Sequence, residues 1–144
     1  MSADRQRVSS GSPYEKPIGF SRAVRVGNMV FVSGTAPVSA DGKNVGAGDA
    51  GAQTRRCLDI IAAALKETGA EMRHVVRTRM FITDAALWEE VGNAHGEVFG
   101  EIRPAATMVV VSGLLDPAWL VEIEAEALIV DDDQNWQNAW APTD

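Results

Sequence analysis

FSRAVRVGNMVFVSG, residues 20–34, alternates polar and apolar side chains from Phe20 to Val26, turns at Gly27-Asn28, and resumes as Met29–Val32 before Ser33-Gly34. Alternation with period two marks a half-buried strand, and a Gly-Asn pair between two such runs marks a tight connection. The stretch therefore reads as a β-hairpin. Downstream, PVSADGKNVGAGD (37–49) has loop composition. Asp49 is placed to cap a helix whose apolar face runs through Gln53, Cys57, Leu58, Ile61 and Leu65, with Gly69 at its stop. VVRTRMFIT (75–83) is the third strand. Asp84 opens a second helix with Leu87, Val91, Ala94 and Val98 on one face and Gly100 at its end. TMVVVS (107–112) and LVEIEAEALIV (120–130) complete the series.

The order is ββαβαββ. Strands separated by a helix are expected to pair in parallel through right-handed crossovers. The fold class is thus α+β, a single domain with a mixed sheet and two helices on one face. Residues 1–13 are polar and Gly/Ser-rich and read as a flexible arm, 14–130 form the domain, and 131–144 are an acidic tail carrying Trp136 and Trp140.

Two helices cover one sheet face, yet MVFV and MVVV place apolar residues on both. A second copy of the chain packed against the open face satisfies this, as does the tail folded over it. The net charge of −7 opposes phosphate backbones, and the arginines at 22 and 25 and at 73, 77 and 79 are interleaved with apolar residues, so no nucleic-acid partner is expected. No apolar stretch is long enough for a membrane partner, and the N-terminus has no apolar leader segment. One cysteine permits no internal disulfide and suits a reducing cytoplasm.

Few side chains carry chemistry. His74 reads as a loop residue and His95 as a helix-surface or interface residue. Neither stands in a ligand-spaced cluster, so no metal is expected. Cys57 reads as a small buried hydrophobe. Gly92, Gly96 and Gly100 recur at every fourth position and suggest close approach of the second helix to the sheet or its neighbour. Glu122, Glu124 and Glu126 share one strand face. On a solvent face they are plain polar residues. At an interface one of them could hold a water or exchange a proton. Ser33-Gly34 reads either as an ordinary turn or as a hydroxyl and amide offered to a ligand.

Taken together, IGFSRAVRVGNMVFVSGTAPV (18–38), AQTRRCLDIIAAAL (52–65), VVRTRMFITD (75–84), VGNAHGEVF (91–99), RPAATMVVVSGL (103–114) and VEIEAEALIV (121–130) resemble, in order, the RidA (YjgF) family. The resemblance implies a chorismate-mutase-like subunit assembled as a homotrimer with sites between subunits. It also implies hydrolysis of small enamines or imines by a deaminase needing no cofactor. Glu122 matches the glutamate that positions water, Ser33 and Gly34 the ligand-contacting pair, and Thr107 a hydroxyl residue of the fourth strand. Phe20 stands at a tyrosine position and Met108 where many members have cysteine. Ala106 occupies the place of the arginine that grips a substrate carboxylate. Arginine suits that task through its planar, bidentate fork. The expected substrate is therefore a small reactive metabolite other than a simple 2-imino acid, unless Arg22, Arg77, Arg79 or Arg103 stands in. The alternative is a non-catalytic trimeric module that binds a small molecule or regulates.

Overall fold

The computed structural model describes residues 5–130. One six-stranded sheet, ordered β1-β2-β3-β6-β4-β5, carries two helices on one face. The strands are β1 (Arg5–Val8), β2 (Ala23–Val26), β3 (Met29–Thr35), β4 (Val75–Ile82), β5 (Ala105–Val110) and β6 (Val121–Leu128), and the helices are α1 (Ala50–Glu67) and α2 (Trp88–Phe99).

The predicted hairpin is β2–β3, joined at Gly27-Asn28. The flexible arm expected over 1–13 is corrected at Arg5–Val8, which pairs antiparallel with β2. Pairing with β2 and burial of Val8 explain this. Val8 is buried at 4 % exposure, while Arg5, Gln6 and Arg7 stay exposed on an edge that charged side chains keep from pairing further. The parallel-pairing expectation holds for β4 and β5, which flank α2. It fails for β3 and β4, which flank α1. The last strand, β6, inserts between them and runs antiparallel to both. Its inward residues, Val121, Ile123, Ala125 and Ala127, are apolar and compact, so α1 packs directly over the middle of the sheet.

Helix α1 begins as expected, the Asp49 carboxylate accepting from the Ala52 N–H at 2.9 Å. It ends at Gly69, whose φ of +86° reverses the chain while Ala70 N–H donates to Leu65 O at 2.9 Å. Asp84 caps a short turn, Ala85–Leu87, that leads into α2. The core between helices and sheet is built on Val30, Val32, Ile61, Leu65, Ile82, Val91, Val121 and Ile123. Close approach does not explain Gly92 or Gly96, whereas a Cβ on Gly100 would lie 2.8 Å from Gly96 O. A methyl group on Gly92 would only touch Met108 at 3.9 Å, and one on Gly96 would meet open space.

Among the described residues the other sheet face is open; the tail 131–144 with Trp136 and Trp140, the alternative cover, lies outside them. Register sets Val24 beside Phe31, Val26 beside Met29 and Met29 beside Leu128. Val26, Phe31 and Leu128 are 47 %, 44 % and 38 % exposed, and Val109 on β5 is 41 % exposed. Across the middle of this face, one Arg79 nitrogen donates to Glu124 at 2.9 Å and to Glu126 at 3.0 Å.

Candidate functional site

The site is built on an irregularity in β3. Val32 pairs with Ala125 and Thr35 with Ile123, so Ser33 and Gly34 together oppose Glu124. This β-bulge is held by side chains. Ser33 Oγ donates to Ser21 O at 2.7 Å, Thr35 Oγ1 donates to Ser33 O at 2.8 Å, and the Arg22 guanidinium donates to Gly34 O. Bulges re-aim the chain locally, and here Gly34 comes against the carboxyl of Glu122. A Cβ on Gly34 would lie 3.2 Å from Glu122 Cδ, so only glycine leaves the carboxylate undisturbed.

Glu122 is half-buried on β6, on the open face, beside Phe81 of β4. Burial raises its pKa above the usual carboxylate range. Arg22 pulls in the opposite direction, and Glu124 adds a smaller upward push. The Arg22 guanidinium is lowered by its own burial and raised by Glu122 and Glu15. Of the four arginines considered as replacements for the missing clamp, Arg22 is the one whose charge Glu122 feels. Arg79 is held by Glu124 and Glu126. Arg77 lies on the same open face, beside Glu126. Arg103 is exposed, with a φ of +55° where the chain leaves α2 ahead of Pro104.

The structure brings Ser33, Gly34 and Glu122 together. Phe20 is half-buried in extended backbone just beyond the wide turn Glu15–Gly19. Ala106, Thr107 and Met108 lie elsewhere in the chain. Glu122 aligns through Phe81 with Val109 of β5. Ala106 is therefore two strands away, about 10 Å, and three residues along, about another 10 Å. Ala106 and Met108 share the helix side with Thr78 and Met80, whereas Thr107 lies on the open face with Arg79. On this edge strand Ala106 and Thr107 are exposed.

Gln53 takes a part the sequence does not announce, while Arg22, one of the four candidate stand-ins for the clamp, braces the bulge. The Gln53 amide, 1 % exposed, donates to Gly46 O and Ala118 O at 3.1 Å each and accepts from Leu120 N–H at 2.8 Å. It ties two loops to α1 where β6 begins, and so sets the height at which Glu122 enters the sheet. A polar residue in an otherwise apolar helix stripe was the available signal.

The remaining reactive groups have structural partners. His74 Nδ1 accepts from Glu71 N–H at 2.9 Å. His95 lies 2.9 Å from Thr78 Oγ1 and against the Phe99 ring at 4.6 Å, half-buried over the sheet. Among the described residues no group of three or more His, Cys, Asp or Glu could hold a metal ion. Cys57 is buried, and burial pushes its thiol up to about 12, with Glu122 adding to the rise. The folded protein should therefore resist iodoacetamide at pH 8 and react promptly in urea. Mass spectrometry of both samples checks this, and rapid native alkylation would contradict it.

A sequence model of the family described as Endoribonuclease L-PSP matches residues 14–129. The chain belongs to the YjgF/RidA family. An uncharacterized protein of Streptomyces coelicolor is 39 % identical over 122 residues, spanning 85 % of this chain and 90 % of that one. The 3-aminoacrylate deaminase RutC of Acinetobacter baylyi is 36 % identical over 105 residues, spanning 73 % and 82 %. A crystal structure of a YjgF/YER057c/UK114 family member from Mycobacterium tuberculosis superposes with a TM-score of 0.79 at 46 % identity, covering 87 % of this chain and 99 % of its own. The mixed α+β domain is thus the YjgF/RidA fold. Among the described residues no helix is long and apolar enough to cross a membrane.

Proposed function

We propose that this YjgF/RidA protein is a cofactor-independent hydrolase of a small imine or enamine, working as a homotrimer in the cytoplasm. The observation that carries the reading is the half-buried Glu122 carboxylate held over the Ser33–Gly34 bulge. In that position Glu122 accepts a proton from water as the oxygen adds to the C=N carbon. Glu122 passes that proton to the nitrogen to complete a carbinolamine, then carries the carbinolamine O–H proton to the same nitrogen as the C–N bond breaks and the C=O bond forms, so that imine and water become carbonyl and ammonia. The 36 % identity to a 3-aminoacrylate deaminase supports this reaction class. Ala106 supplies no cation, which favours a substrate without a carboxylate over a 2-imino acid.

The separation described above supports assembly. Ala106, Thr107 and Met108 sit on an edge strand too far from their own Glu122 to share a small ligand with it, so a common site requires the Glu122 of a neighbouring copy. The exposed Val26, Phe31, Val109 and Leu128 give such a neighbour an apolar face. Sedimentation equilibrium should return three chain masses of 15.4 kDa. Phe31→Asp, which forces a charge into that face, should give monomers and abolish ammonia release from imines generated in situ by an amino-acid oxidase. A wild-type monomer, or a monomeric variant with full activity, would refute the arrangement.

Two features favour the second reading, a trimeric binding module. Ala106 lacks the clamp, and Phe20 lacks a hydroxyl. Thermal stabilisation by a ligand, without ammonia from any imine, would select it. An RNA substrate fits poorly with a net charge of −7. RNA cleavage by pure wild-type protein that Glu122→Gln abolishes would reverse that judgement.

A further inference from the structure

We infer that Arg22 is a positioning residue for Glu122: from the segment leading into β2, its guanidinium anchors the Gly34 carbonyl of the bulge and supplies the counter-charge beside the Glu122 carboxylate. Four observations converge on it. Arg22 is built into the bulge by its backbone, its N–H donating to Val8 O at 2.7 Å and its carbonyl accepting from Ser33 N–H at 3.0 Å. Its side chain returns to the same bulge at Gly34 O. The residue so anchored, Gly34, is the one lying against Glu122. Finally, Arg22 Nε is buried and has no hydrogen-bond partner among the described residues. A buried donor without a protein partner calls for an explanation, and a functional site is one of those available.

The other groups around Glu122 do not offer the same service. Glu124, on its own strand, pushes toward protonation. Cys57 from α1 is held as a neutral thiol. Gly34 from β3 and Phe81 from β4 bring no charge. Glu15 and Cys57 face Arg22 itself, and Arg56 lies near Cys57. Arg22 is thus the cation that opposes the upward push of burial on Glu122 and favours its ionised, proton-accepting form. The pair also leaves this part of the site with no net charge. Its functional meaning rests on the role proposed above for Glu122.

The test is a side-chain NMR titration of the full chain in wild type, Arg22→Gln and Arg22→Lys, with the Glu122 carboxyl carbon assigned by its loss in Glu122→Gln. Glutamine keeps a donor for Gly34 O and removes the charge, while lysine keeps the charge. The Glu122 midpoint should rise by about one pH unit or more in Arg22→Gln and stay near the wild-type value in Arg22→Lys. In wild type, the Arg22 Nε resonance should shift with the Glu122 midpoint, a readout that needs no variant. An unmoved Glu122 in Arg22→Gln, equal shifts in both variants, or an Nε signal indifferent to Glu122 would overturn the inference. None of these readouts uses a substrate. Titration as expected without ammonia release from any imine defeats the hydrolase reading alone, and hydrolysis with an unmoved Glu122 defeats this inference alone.

Discussion

Glu122→Gln is expected to lower imine hydrolysis by about 10²- to 10⁴-fold, the usual range for loss of a positioned general base. Glutamine keeps the shape that fits against Gly34 but cannot take a proton from water. The same substitution should stabilise the fold at neutral pH. Burial places the folded-state pKa of Glu122 above its unfolded value. Between those two values the folded chain holds the extra proton, so the contribution to stability is complete below the unfolded pKa and is lost as pH rises through the folded one. Above that window wild type carries an ionised, half-buried carboxylate and the variant does not. A melting temperature equal to wild type at low pH and higher at pH 7, with activity lost, is the expected pair of results. Retained activity would remove Glu122 from the chemistry. A variant destabilised at pH 7 would mean that Arg22 stabilises the carboxylate by more than burial costs it.

Ala106→Arg is expected to act in the opposite direction, as a gain of function restricted to anionic substrates. Two charge-assisted hydrogen bonds from a guanidinium to a carboxylate should lower KM for a 2-imino acid by about one to three powers of ten. KM for an uncharged imine should stay unchanged. The fold should tolerate the change, because Ala106 is exposed on an edge strand and its register neighbour, Thr78, is small. Within the protomer, a replacement at such an exposed position shifts stability by about 0.5 kcal/mol or less. Paired steady-state kinetics on an imine with and without a carboxylate decide the matter. Equal effects on both substrates would mean that the new cation does not face the carboxylate, and that β5 does not border the pocket.

Much of the fold was legible because its signals are local. The hairpin at Gly27-Asn28, the Asp49 cap and the Gly69 stop follow from backbone preferences and hydrogen-bonding groups within a few residues of each position. β1 was missed because Arg5–Val8 is too short and polar to announce itself, and only its partner β2 makes it a strand. The neighbours of β6 were missed for a related reason. Nothing in Val121–Leu128 says that it inserts between β3 and β4 rather than adding to an edge.

For the candidate site, spacing alone left Glu122 one of three glutamates on a strand face and Ser33-Gly34 an ordinary turn, and it was the resemblance to the RidA family, carried by the ordered segments, that singled out Glu122, Ser33-Gly34 and the unexpected Ala106. Their grouping was decided by the tertiary structure alone. Pairing across β3, β6, β4 and β5 puts Gly34 against Glu122 while holding Ala106 two strands away, and the bulge turns Arg22 from one surface-like arginine among several into the cation beside the carboxylate. Covalent order sets which groups a chain possesses. Which of them share an electrostatic environment depends on long-range strand pairing and on the water that pairing excludes, and neither is written in any short stretch of residues.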